Sequence, residues 1–155
     1  MKRELLLNFC KAVRNSTLKR LVLVPNGFEN WKISTGALGF AEITKHIIDC
    51  DNWLLYKINN PDIKSIETES AIIKNCSRQK YEELITNLEN VLLKKIEFIN
   101  NLSDEQLSEN IYDDRFKSEV SIAWIILRGN IDHEIHHRGQ IATYLRVLKD
   151  KNIIM

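Results

Sequence analysis

The chain has 155 residues, of which 44% are hydrophobic and 28% are charged, and it contains only two prolines and five glycines. A chain of this length can bury a sizeable core without cross-links, and we predict a single domain over residues 1–155. The formal net charge is +1, so the chain lacks the positive field that attracts nucleic acids or anionic membranes. We therefore predict neither a nucleic-acid partner nor a membrane partner.

The cellular location is predicted from the amino terminus and the cysteines. The apolar run 5–7 is soon followed by polar and basic residues, so it is too short and too polar for a signal or spanning segment. Cys10, Cys50 and Cys76 are widely spaced and include no CxxC pair, a pattern typical of reduced thiols rather than of a disulfide framework. Both observations predict a cytoplasmic protein.

Four segments carry apolar residues at helical spacing or are bounded by helix-capping residues. Their predicted bounds are 2–23, 34 or 35 to 59, 78–101 and 118–149. Residues 62–76 mix Ile with Ser, Thr and Glu, and we predict a long, partly ordered connection there. Four long helices with polar connections predict an all-α four-helix bundle, in whose core facing helices can assemble metal sites.

Three of the four histidines lie in the stretch 133–137, His-Glu-Ile-His-His. On a helix, His133 and His137 stand one turn apart on one face, so two imidazole nitrogens can reach one ion at about 2.0–2.1 Å. His136, three residues after His133, is the rival partner. A third nitrogen ligand can come only from His46. On spacing alone, the alternative of a half-buried His46 and a solvated helix face stays open.

The same stretch matches the HExxH motif, in which two histidines bind zinc and the glutamate activates water in metalloproteases. Residues 138–155 contain no His or Glu, and Asp150 is their only acidic residue, so the downstream third ligand of a zinc protease is missing. We therefore expect Glu134 to lie at the surface or beside the ligands, paired with Arg138 at i+4, rather than to act as a general base.

Polar and aromatic residues share one stripe of the second predicted helix with His46. By the i,i+3 and i,i+4 rule, this stripe holds Glu42, Asp49, Cys50 and Trp53. We predict that Glu42 or Asp49 orients a ligating imidazole through its other ring nitrogen, and that Trp53 is the best candidate for a pocket wall. All three tryptophans are predicted to be mainly core residues: Trp31, Trp53 and Trp124.

Two motifs of the chain resemble those of DinB-like proteins. The stretch 130–141, Asn-Ile-Asp-His-Glu-Ile-His-His-Arg-Gly-Gln-Ile, is similar to the family's terminal motif, and 43–53 resembles its upstream motif of a helical histidine followed by an acidic residue and an aromatic. The resemblance covers nearly the whole chain. It implies a four-helix bundle, often dimeric, in which His46, His133 and His137 bind one divalent metal such as nickel, zinc or manganese and His136 is not a ligand.

The resemblance also implies an activity. Similar proteins include transferases that use bacillithiol or mycothiol, so we expect a metal-dependent S-transferase that joins a small thiol to an electrophilic substrate. Three histidines leave an open position on the metal, as catalytic sites require. The alternatives are a metal-dependent hydrolase that activates water and a metal-binding stress protein without turnover. The residues expected around the ligands or in the substrate pocket are Glu42, Asp49, Trp53, Glu134 and Arg138.

Overall fold

The computed structural model of the chain describes residues 3–63 and 73–153. Four long helices form most of this structure. They are α1 (Arg3–Leu21), α2 (Phe40–Asn59), α3 (Arg78–Asn101) and, at the carboxyl end, α6 (Asp132–Asp150). The chain between α3 and α6 contains α4 (Asp104–Ser108), β1 (Asn110–Asp113), β2 (Ser118–Ser121), α5 (Ile122–Trp124) and the π-helical segment Ile125–Ile131.

The four long helices pack as a bundle. Helix α1 packs against α3 and α6, and α2 also packs against α3 and α6, so α1 and α2 occupy diagonal positions. The predicted helical bundle is confirmed, with one added antiparallel hairpin of β1 and β2. Within residues 3–63 and 73–153, no helix is both long and apolar enough to cross a membrane.

The buried core consists of two apolar clusters with charged residues between them. One cluster includes Leu21 of α1, Ile47 of α2 and Ile141 of α6, and the other includes Leu54 of α2 and Ile131 of the π-helical segment. Each long helix also carries a buried charged residue that belongs to neither cluster. These charged residues are Arg14, Asp51, Lys95 and Glu134.

Helix α3 has the predicted bounds, whereas α2 is shorter than predicted. Helix α3 begins after Ser77, whose side chain accepts a hydrogen bond from the Lys80 N–H, as the capping residue predicted. Helix α2 begins later than predicted, after Gly39, where an added Cβ would lie 3.0 Å from the Asn30 carbonyl oxygen. Most of the connection predicted over 62–76 lies outside the described residues.

The predicted helix over 118–149 is wrong in its first part. Residues Ser118–Ser121 form β2, and the following helix begins only where the Ser121 hydroxyl accepts a hydrogen bond from the Trp124 N–H. The helix then continues as the π-helical segment Ile125–Ile131, which leads into α6. Trp124 is 47% exposed, so its prediction as a core residue is also wrong.

Candidate metal site

Helices α2 and α6 bring His46, His133 and His137 together. The Nε2 atom of His133 lies 2.8 Å from Nε2 of His46 and 3.0 Å from Nε2 of His137. His133 and His137 are one turn apart on α6, as their spacing predicted, and His46 approaches from the facing helix. The ring centroids of His46 and His137 lie 4.8 Å apart, so the three imidazoles form one cluster between the two helices.

The second nitrogen of His137 is held by Gln140. Nδ1 of His137 lies 2.8 Å from Oε1 of Gln140, and the amide nitrogen of Gln140 lies 3.2 Å from Nε2 of His136. An amide oxygen only accepts hydrogen bonds, so Nδ1 of His137 carries the proton and its Nε2 carries a lone pair. Gln140 thus directs His137 towards the other two histidines and occupies the outer nitrogen of His136.

The convergence fits a cation. Two atoms that both bind one ion at about 2.0–2.3 Å lie roughly 3–4 Å apart, and the observed nitrogen separations of 2.8 and 3.0 Å are close to that range. Lone pairs that face each other in a partly buried place repel unless protons or a cation lie between them. The three imidazoles are thus a suitable donor set for a transition metal.

The pKa values of the three histidines are compatible with metal binding. Burial, together with the charges of the neighbouring imidazoles, lowers the pKa of His133 and of His137 to about 4. Burial also lowers the pKa of His46. All three rings are consequently neutral at pH 7, which is the form that binds metals.

Cys50 is the donor that the sequence analysis did not assign to the site. Its Sγ lies 3.7 Å from Nε2 of His46, and one donor atom each of His46, Cys50 and His133 lie within 4.8 Å of one another. This cluster could hold a metal ion. Cys50 follows His46 by four residues on α2, the same helical spacing as His133 and His137, so this spacing was the signal that could have identified it.

The site opens onto a cleft of about 740 Å³ that His46 and His133 line. Trp53 forms part of its wall, as predicted, and the guanidinium of Arg115 lies 3.9 Å from the centre of the Trp53 ring. Arg115 also donates to the Asp113 carboxylate and to the Gly129 carbonyl. The β1–β2 hairpin, which the sequence did not predict, therefore supplies one wall of the cleft.

Two of the other predicted residues lie away from the cleft. Glu42 accepts a hydrogen bond from the Gly39 N–H at 2.7 Å and so caps the start of α2 instead of orienting His46. Arg138 is half-buried on α6, outside the set of described residues that line the cleft. Asp49 does line the cleft, where its carboxylate accepts a hydrogen bond from Lys45.

Glu134 lies in the core, and its predicted pairing with Arg138 is wrong. It is 3% exposed, and its two carboxylate oxygens accept hydrogen bonds from Nε and NH2 of Arg14 on α1. Arg14 also donates to Asp51 of α2 at 2.6 Å and to the Leu88 carbonyl of α3. A buried charge needs a charged, hydrogen-bonded partner, and Arg14 meets this need where the more exposed Arg138 does not.

The remaining residues of this buried network fix the backbone behind the site. Lys95 of α3 donates to Asp51 and to Asn130, and the Asn130 amide donates to Asp51 and to the Cys50 carbonyl. Burial alone would raise the pKa of Asp51, but Lys95 and Arg14 hold that pKa below its ordinary value. The network thus joins all four long helices directly behind His46 and His133.

Comparison with known sequences gives one family. The sequence profile described as the DinB family matches residues 1–154 of this chain. No curated protein matches it.

Solved structures show the same fold. A DinB-like protein from Bacillus subtilis is 17% identical, with a TM-score of 0.67 over 93% of this chain and 92% of that one. A DinB-like protein from Bacillus cereus ATCC 10987 is 18% identical, with a TM-score of 0.66 over 91% of each chain. An uncharacterized protein from Clostridium difficile 630 is 13% identical, with a TM-score of 0.67 over 96% of this chain and 98% of that one.

Proposed function

The chain belongs to the DinB family, and on this premise we propose that it binds one divalent transition metal through His46, His133 and His137. We further propose that it uses this metal to transfer a low-molecular-weight thiol to an electrophilic substrate. The observation that carries the proposal is the convergence of the three Nε2 atoms, which lie 2.8 and 3.0 Å apart in successive pairs at the edge of a cleft.

The chain's own residues would hold the reactants in place. Gln140 keeps the Nε2 lone pair of His137 directed at the site. When bound, a divalent ion would lower the pKa of a coordinating thiol or water and so supply a nucleophile near neutral pH. The wall of the cleft that contains Trp53 and Phe116 offers apolar surface for the electrophile.

The burial of Glu134 favours thiol transfer over hydrolysis. In an HExxH hydrolase the glutamate takes a proton from water at the metal. Here both of its carboxylate oxygens accept hydrogen bonds from Arg14 inside the core, so Glu134 is not available as that base. A cosubstrate thiol is far more acidic than water, so when it binds a metal it can release its proton to solvent without such a base. We therefore favour the transferase.

Metal analysis of protein purified without a histidine tag or chelator tests the first half of the proposal. We expect about one transition-metal ion per chain, lost in the alanine variants of His46, His133 and His137. His136→Ala is the matched control, because the outer nitrogen of His136 is occupied by Gln140, and it should keep the metal. Retention in His137→Ala together with loss in His136→Ala would overturn the assignment.

The second half is tested by turnover with an electrophile such as a haloarene or an epoxide. The expected result is product that forms only when a small thiol is supplied and only with metal-loaded protein. Product formed without thiol would instead support the metal-dependent hydrolase. If the protein binds one metal ion per chain but converts no electrophile, the result would support a metal-binding protein without turnover.

A further inference from the structure

We propose that Cys50 is a fourth protein ligand of the metal site, so that its thiolate occupies the position that an external thiol has to enter. The inference rests on the proposed function for the existence of the metal, but it concerns a residue that the three-histidine site does not include. With three histidines alone, an external thiol would enter an open position on the metal. With Cys50 bound as well, the external thiol has to replace the Cys50 sulfur.

The distances around Cys50 support this role. With bonds of about 2.0–2.1 Å to nitrogen and about 2.3 Å to sulfur, two ligands at a tetrahedral angle have a nitrogen-to-sulfur separation of roughly 3.6 Å. The Sγ of Cys50 lies 3.7 Å from Nε2 of His46. One donor atom each of Cys50, His46 and His133 also lie within 4.8 Å of one another. Cys50 thus adds a thiol to the imidazoles of His46 and His133, and His137 lies beside His133 at 3.0 Å.

The backbone of Cys50 is fixed at this place. Its carbonyl accepts a hydrogen bond from the Asn130 amide at 3.3 Å. The next residue, Asp51, is held by Arg14 and Lys95 at 2.6 Å each. Cys50 lines the cleft beside His46 and His133, so its sulfur lies on the side from which a small molecule would reach the metal. These contacts keep the thiol near the histidines.

The other two cysteines have different surroundings. Cys10 is 1% exposed and packs in the apolar cluster that contains Leu54, whereas Cys76 is 4% exposed and packs in the cluster that contains Leu21. All three cysteines are free. Cys10 and Cys76 are therefore matched controls for any measurement that reports a sulfur ligand.

The exchange is balanced without an oxidant or reductant. The incoming thiol loses one proton as its sulfur binds, and the Cys50 thiolate takes up one proton as its own sulfur leaves. Because the two sulfurs compete for one position, the apparent affinity for the external thiol equals its intrinsic affinity multiplied by the fraction of time that Cys50 is absent from that position. If Cys50 is bound nine-tenths of the time, this affinity is lowered about tenfold.

Absorption spectra of the Co(II)-loaded full chain, recorded without added thiol, test the inference. We expect a near-ultraviolet sulfur-to-cobalt charge-transfer band in the wild type. The same band should appear in the double variant Cys10→Ser/Cys76→Ser, in which Cys50 is the sole cysteine. Cys50→Ser should bind one Co(II) per chain through the three histidines and lack the band.

A titration with 2-mercaptoethanol then tests the competition. In Cys50→Ser, the band should appear on addition of 2-mercaptoethanol and should saturate at a lower concentration than that needed to displace Cys50 in the wild type, about tenfold lower if Cys50 is bound nine-tenths of the time. The wild-type displacement can be followed by a short pulse of iodoacetamide in excess over the thiol, after which the alkylated fraction of Cys50, read by mass spectrometry, should rise with the concentration of external thiol. Equal thiol affinities in the two proteins would contradict the competition.

The failure of this inference can be told apart from the failure of the proposed function. If the wild type binds one Co(II) per chain that is lost in His137→Ala, yet shows no charge-transfer band, Cys50 is not a ligand and the histidine site stands. If the wild type binds no Co(II) stoichiometrically, the proposed metal site itself is wrong. The double variant keeps the test decisive even if Cys50→Ser does not fold, because absence of the band there also refutes the inference.

Discussion

The carboxylate of Glu134 accepts two hydrogen bonds from the guanidinium of Arg14, at 2.8 Å from Nε and 3.0 Å from NH2. Arg14 is 0% exposed and Glu134 is 3% exposed. Glu134 follows His133 directly, but a step of one residue turns the side chain by about 100° around the helix axis. The histidine therefore faces the metal site while the glutamate faces the core, where it joins α6 to α1.

We predict that Glu134→Gln destabilises the protein and leaves the metal in place. The variant removes one charge of a buried pair and leaves Arg14 with Asp51 as its one charged partner in the described structure, so the free energy of unfolding should fall by about 3 kcal/mol. Urea denaturation followed by circular dichroism measures this change. The control is Glu82→Gln, which removes the exposed partner of Arg78 and should cost less than about 1 kcal/mol.

The same variant discriminates between the two activities. With its metal retained, Glu134→Gln should keep most of the thiol-transfer activity, because Glu134 does not reach the cleft. If the variant keeps its metal and its fold but loses activity about a thousandfold, it loses as much as is expected on removal of a general base. That result would favour the metal-dependent hydrolase over the thiol transferase.

The sequence predicted the features that depend on local spacing. Helix α3 has the predicted bounds, since Ser77 caps it and its apolar residues recur at helical spacing. The one-turn spacing of His133 and His137 correctly predicted that these two rings lie side by side. The two family motifs likewise predicted the bundle, while the homodimer and the cytoplasmic location stay predictions.

The features that the sequence did not predict depend on contacts between distant residues. The i,i+4 rule gave Glu134 the partner Arg138, but the partner in the structure lies 120 residues away, on α1. The hairpin forms where Asp113, fully buried, accepts three hydrogen bonds from Arg115. Local periodicity carries no information about such partners, so residues 118–121, which form β2, were predicted as the start of a long helix.

We predict that metal-free protein loses stability between about pH 6.5 and pH 4. Burial lowers the pKa of His133 and His137 from 6.5 to about 4 in the folded state. The unfolded chain therefore binds protons in this interval that the folded chain does not, and the free energy of unfolding falls as the pH falls. Near pH 5, unfolding should take up about two more protons than an otherwise equal protein without these histidines.

Urea denaturation of metal-free protein at several pH values measures this slope, and the control is the double variant His133→Gln/His137→Gln. Wild-type stability that does not change between pH 6.5 and pH 4 would contradict the prediction. For the same reason, metal affinity should fall at a lower pH than the ordinary imidazole pKa of 6.5 would set, because protons compete for the folded rings only as the pH approaches their lowered pKa values.

We predict that Arg115→Ala loosens the hairpin wall of the cleft without loss of metal. Arg115 stacks on Trp53, donates to Asp113 and donates to the Gly129 carbonyl, and its removal leaves the buried Asp113 carboxylate without this partner. Amides of β1 and β2 should exchange with solvent at least about tenfold faster, which corresponds to about 1.4 kcal/mol. Hydrogen exchange followed by mass spectrometry measures this rate.

The control for this variant is Glu119→Ala, an exposed residue on β2 of the same hairpin, which should leave the exchange of β1 amides unchanged. Metal content should stay near one ion per chain in both variants, because none of the three histidines contacts the altered side chains through a hydrogen bond in the described structure. Unchanged exchange in Arg115→Ala would show that the hairpin is held by other contacts.

We predict that Gln140→Leu weakens metal binding although Gln140 is not itself a ligand. Its amide oxygen accepts the Nδ1 proton of His137 at 2.8 Å and so fixes both the tautomer and the direction of the ring. Loss of such a partner lowers metal affinity about tenfold to a hundredfold. Competition of Co(II)-loaded protein against a chromophoric chelator measures the affinity. Gln140→Glu is the matched control, because a carboxylate accepts the same hydrogen bond and should keep the affinity within a few-fold of the wild type. Equal affinities of the Leu and Glu variants would mean that His137 needs no partner at Nδ1, and the case for His137 as a ligand would then depend on its 3.0 Å approach to His133 alone.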